Sequence, residues 1–134
     1  LEPHAAWAGP LSLAAACAVG AALRAACGSW ARALALLLLA SFLLQLCRRE
    51  WTTRNWLTDD PRLPIEAPHR LLANGLLHAS WDHLAVNAAG LWWFGSALED
   101  ASGGGGLLLL CGGCTLCGSL SSWCRKRRLA TASS

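Results

Sequence analysis

The amino-acid sequence predicts an all-α fold, a multi-pass bundle of transmembrane helices, and three observations predict it. Hydrophobic residues make up 54% of the 134 positions and charged residues only 14%, against the ~25% charge that a soluble domain carries to keep its surface wet. The mean hydropathy is +0.38. The charges are also segregated: nine of the 19 fall between Arg48 and Arg70, while Ala101–Cys124 carries none. Charge gathered between long uncharged runs is how a chain looks when lipid removes the need for a polar surface. The net charge of +3 is small and scattered, so nucleic acid is not an expected partner; membrane lipid is. The length suits one domain, 1–134.

Taken in order, residues 11–27 are alanine-rich and interrupted by Arg24; they favour helix but contribute little transfer energy, and whether they span is open. Residues 33–47 read ALALLLLASFLLQLC. Fifteen residues rise only ~23 Å as a helix, short of a ~30 Å hydrocarbon core, so the first transmembrane helix is placed over 26–47, with Arg32 reaching an interface. Residues 48–70 form a polar loop in which Pro61, Pro64 and Pro68 forbid one long helix. The next helix occupies 80–99: Ser80 suits an N-cap, Asp82 suits the first turn, and Ala85, Ala89 and Gly90 offer small surfaces for close packing. Residues 101–134 form a Gly- and Cys-rich tail of open topology, with seven glycines between Ala101 and Cys124. Two firm helices and one or two uncertain ones are therefore expected, in a bundle that looks truncated. The opening Leu1-Glu2-Pro3-His4 has no positive n-region, so a cleavable signal peptide is not expected.

Polar residues inside an apolar helix need explaining, because each costs energy at membrane depth until it finds a partner. His83 and Asn87 lie four apart and share a helix face; His78 belongs to the segment leading in. Taken alone, these residues allow three readings: asparagine joining two helices with histidines at a wet interface, a functional polar site, or a metal site.

The segment HRLLANGLLHASWDHLAVNAAGLWWFGSALE resembles the rhomboid intramembrane serine proteases and their short relatives, the rhombosortases. The pattern is an arginine before the helix, then H-x4-H-x3-N, then a glycine and a glutamate; here these are Arg70, His78, His83, Asn87, Gly95 and Glu99. The resemblance covers about 30 residues directly, and residues 30–100 if the first helix and loop are included. It implies a catalytic role for His83 and Asn87 in stabilising the oxyanion, with His78 supporting. It implies structural roles for Arg70, Gly95 and Glu99, a membrane-anchored or membrane-proximal protein as substrate, and no cofactor. It also implies that Glu99 and Asp100 face the cytoplasm. A shared face gives His83 and Asn87 an independent reason to present N–H donors to one developing negative charge.

Two parts of the family's machinery are missing from these 134 residues. No G-x-S-G supplies a nucleophile, and no histidine follows His83; a serine without a base stays a weak nucleophile. The expectation is a fragment or degenerate member, inactive by itself and resident in a membrane (the cell membrane, if the host is bacterial). A noncatalytic protein that binds transmembrane segments is the alternative. Cys111, Cys114 and Cys117, three apart, raise a third reading, a small metal-binding membrane protein.

Overall fold

A computed structural model describes residues 8–57 and 67–132. The chain forms α1 (Ala8–Cys27), α2 (Trp30–Cys47), α3 (Arg49–Trp56), α4 (Arg70–Ala73), a 3-10 turn (Asn74–Leu76), α5 (Trp81–Gly90), a π turn (Leu91–Gly95) and α6 (Ser96–Ala132). Three continuous helical stretches are long and apolar enough to cross a membrane: Ala8–Cys27, Trp30–Cys47 and Trp81–Ala132. An all-α, multi-pass bundle is therefore what the sequence forms. The expectation of only two firm helices is corrected: α1 is a helix as well, and α6 is helical on both sides of Gly103.

The boundaries follow from local chemistry. The first span, expected over 26–47, begins at Trp30 because Gly28 turns to φ 70° and ends α1. That angle is cheap only for a residue without Cβ. Ser29, extended at φ −145°, then caps α2 by accepting the Arg32 amide at 3.4 Å. The same device opens α5, where Ser80 accepts the His83 amide at 3.3 Å.

The third stretch is two helices in one. Gly103, at φ 75° and ψ 165°, breaks α6, and the chain beyond it returns antiparallel to α5. Leu107, 1% exposed, lies beside Gly95. Further along, Ser119 donates to the Leu71 carbonyl at 2.9 Å and accepts from Asn74 Nδ2 at 3.4 Å. The run from Gly104 to Ser119 thus climbs the full height between the two ends of the bundle, ~22 Å at helical rise. Glycines that would fray a helix in water are tolerated where lipid leaves the backbone no other partner.

Two ends result. At one, Glu99 folds over the start of α2: its carboxylate accepts from Ser29 Oγ at 2.7 Å and from the Trp30 and Ala31 amides at 2.9 and 3.0 Å. These amides are among the four a helix leaves unsatisfied. At the other, the polar loop gathers. In it α3 buries Thr52, Asn55 and Trp56, the Trp56 indole donates to Ser12 of α1 at 2.8 Å, and Arg70 donates to the Leu57 carbonyl at 2.9 Å. Pro61 and Pro64 lie outside the described residues. Between the ends, Leu38, Phe42 and Leu84 form the buried core, with Leu76 and Leu91 against it.

Candidate functional site

The loop end of the bundle holds an open cleft of about 490 Å³ whose walls are mixed polar and apolar. His83 and Asn87 enter it from α5, His78 from the connection before α5, Asn74 from the 3-10 turn, Gln45 from α2, and Arg49 and Thr53 from α3. Ser80 fixes where α5 begins, and so sets the helical phase that turns both His83 and Asn87 toward the cleft, one turn apart.

His78 is buried at 3% exposure. Its Nδ1 lies 3.3 Å from the Leu76 carbonyl, its ring stands edge-on to Phe42 at 6.5 Å, and the His83 ring lies 5.1 Å away. Burial pushes the His78 imidazole below its ordinary pKa; the Leu76 carbonyl pulls it up, and the nearby His83 pushes it down. A hydrogen bond from Nδ1–H to Leu76 would leave Nε2 as the acceptor on this ring.

The backbone that carries His78 is held by a side chain the sequence did not single out. Gln45 Nε2 donates to the His78 carbonyl at 2.8 Å, and the His78 amide donates to Gln45 Oε1 at 3.1 Å. One amide side chain thus pairs with one peptide unit in both directions and ties the connection to α2. The signal was present: Gln45 is the lone uncharged amide in an apolar run, and a polar group at that depth must find a partner. Arg49 and Asn74 were also missed, since arginine and asparagine in a polar loop carry no periodic mark.

Of the other residues expected to matter, Arg70 braces the loop through Leu57, whose own side chain lines the cleft. Gly95 and Glu99 lie at the opposite end. A Cβ on Gly95 would stand 3.3 Å from the Ala31 Cβ, so glycine there permits α2 and the π turn to touch. The widened turn at Leu91–Gly95 delays the helix's rotation. Leu91 thereby packs on the core formed with Leu84, and Gly95 still meets α2.

Among the described residues no group of three or more His, Cys, Asp or Glu side chains is placed to hold a metal ion. Cys114 and Cys117 are exposed and Cys111 is half-buried along α6, so the metal-binding reading has no assembled site there.

The family model described as "Rhomboid domain" matches residues 66–132. The match begins just before Arg70, takes in α5 and runs on through the Gly- and Cys-rich stretch as far as the end of α6. It therefore reaches further toward the C-terminus than the resemblance seen over 70–99. No curated protein and no solved structure matches the chain.

Proposed function

The chain belongs to the rhomboid family, and from that premise we propose that its cleft is the oxyanion-stabilising half of an intramembrane serine protease site. The observation that carries this is the convergence of His78, His83 and Asn87 on one polar-walled cleft at the end of an apolar bundle. When a serine oxygen attacks a peptide carbonyl, a C–O bond forms and the carbonyl electron pair moves onto oxygen. An imidazole N–H from His83 and an amide N–H from Asn87 are the donors suited to hold that charge. His83 is exposed and Asn87 half-buried at the cleft wall, so what the two donors supply is placement before the charge forms, with no reorganisation needed at the moment of reaction. His78, pinned by Gln45, keeps the His83 ring from turning away. The nucleophile and the base that takes its proton are not among these 134 residues in the family's form.

That same gap favours a second reading, a protein that binds transmembrane segments in the cleft without cutting them. The two are separated by comparing a peptidyl phosphonate, a stable tetrahedral anion, with the matching amide peptide on the 134-residue chain in detergent. The oxyanion reading expects the phosphonate to bind more tightly, and Asn87→Ala to lose about 10²-fold of that preference. Equal binding of both peptides removes the oxyanion role and leaves the binding role. A single-span reporter protein incubated with the chain in the same detergent is expected to stay intact; its cleavage, abolished by Asn87→Ala, would show a complete site instead of half of one.

A further inference from the structure

We propose that the bundle holds one anionic phospholipid on its outer face, with the lipid phosphate on Arg32 and an acyl chain in the groove between α2 and α5. This inference is independent of any catalytic role for the polar cleft.

The groove has a volume of about 540 Å³ and almost wholly apolar walls. Its floor is Ala85, Ala88 and Ala89 of α5, facing Ala35 of α2, and indole rings stand at its two ends, Trp81 and Trp92. Alanine along α5 and at Ala35 leaves a channel where larger side chains would have closed the gap between the helices, and Leu36 and Leu39 of α2 form its other wall. The indoles are 56% and 44% exposed, so they rise above the alanine floor as end walls. A transmembrane helix lying along the groove is longer than the ~17 Å between the two indoles and would ride on both rings, above the alanine floor. A single acyl chain can reach that floor.

Length and charge agree with that occupant. Trp92 lies eleven positions after Trp81, which is ~17 Å along a helix, close to the ~15 Å that one leaflet contributes to the hydrocarbon core. A chain lying there would bring its headgroup to one end of the groove. At the Trp92 end stands Arg32, exposed, with its guanidinium 5.6 Å from the centre of the Trp92 ring. Of the two carboxylates at this end, Glu99 is engaged with Ser29 and the Trp30 and Ala31 amides and Asp100 is exposed; among the described residues Arg32, also exposed, makes no ion pair with either. Guanidinium suits a phosphate, because its planar set of donors matches two phosphate oxygens at once. The Trp92 ring holds the guanidinium in place by cation–π attraction without using its in-plane N–H groups. Apolar channel, indole end walls and one oriented cation thus make a site for a glycerophospholipid of net negative charge.

The test is native mass spectrometry of the purified chain, titrated with phosphatidylglycerol or with phosphatidylcholine of the same acyl chains. One tightly held lipid is expected, with about a fivefold preference for phosphatidylglycerol, the effect of a single arginine on an anionic lipid. Arg32→Gln should abolish the preference and Arg32→Lys should keep part of it. Arg48→Gln, at the opposite end of α2, should leave it unchanged. Ala88→Phe, which fills the channel, should expel the lipid whatever its headgroup; helical circular dichroism on each variant confirms that the bundle is intact. Equal retention of the two lipids by the wild type, an undiminished preference in Arg32→Gln, or an unchanged lipid count in Ala88→Phe overturns the proposal.

Discussion

His78 shows how much one residue at the cleft is asked to do. Its backbone is held by Gln45 and its ring is packed against Phe42, so the side chain can change while the tether stays. Burial lowers its pKa in the folded protein, which means the unfolded chain takes up the proton first as pH falls. Stability is therefore complete above the unfolded value of about 6.5 and declines as pH drops from there toward the folded value, below which no more is lost. His69 is shifted in the same direction, chiefly by burial, with the Asn55 carbonyl opposing and Arg70 assisting. Both imidazoles consequently weaken the fold in mild acid. Thermal unfolding in detergent at pH 7.5 and pH 5 is expected to show this loss. His78→Gln should shrink the difference between the two values without removing it, because His69 remains. A difference that is the same in His78→Gln and wild type would mean that the His78 ring is solvated.

At the scale of elements, the helices are ordered by what happens at their ends. Glu99 is the clearest case: three donors at the start of α2 converge on one carboxylate from a helix 68–70 positions away. Glu99→Ala should cost about 1–2 kcal/mol, the range for losing a helix cap, read as a lower midpoint in denaturant titration. Glu99→Gln should fall between, since one amide oxygen can still accept from α2. Equal midpoints in Glu99→Ala and wild type would reduce this contact to a surface feature. Much of this level was legible in the sequence. Ser80 announced its helix because a serine before an apolar periodic run is a cap; within 48–70, expected as a polar loop, Arg49–Trp56 forms a short helix, and Pro61 and Pro64 lie outside the described residues. The break at Gly28 carried the same mark, Gly28-Ser29 before an apolar run, but it competed with the length a membrane span needs, which drew the expected boundary back to residue 26. The returning helix beyond Gly103 was hidden: glycine's helix penalty is a property of chains in water, and the neighbours that hold Leu107 and Ser119 are contributed from far along the sequence. Residue types named His83 and Asn87. Gln45 could be found only by asking what a half-buried amide in an apolar run pairs with.

For the molecule as a whole, the packing sorts its charges by end. Among the described residues, Arg48, Arg49, Arg54, Arg70 and the cluster Arg125–Arg128 belong to the end that carries the polar loop, while Arg24 and Arg32 belong to the end closed by Glu99 and Asp100. The second stretch of α6 continues for 13 residues past Ser119, ~20 Å at helical rise, enough to carry Arg125–Arg128 clear of the hydrocarbon. Positively charged flanks are retained on the cytoplasmic side during insertion. The charge distribution therefore predicts that the loop end, and the cleft with it, faces the cytoplasm, the reverse of the orientation that the family resemblance implies for Glu99. Cys124 can report the answer, since it is exposed and adjoins the basic cluster. In a variant retaining Cys124 as its sole cysteine, a membrane-impermeant maleimide is expected to label lysed cells and spare intact ones. Labelling of intact cells would place the basic end outside and show that packing within the bundle outweighs about eight flanking charges. In either case the result fixes the side from which a substrate or a tetrahedral anion reaches His83 and Asn87, because the cleft opens among the same loop residues that the basic end surrounds.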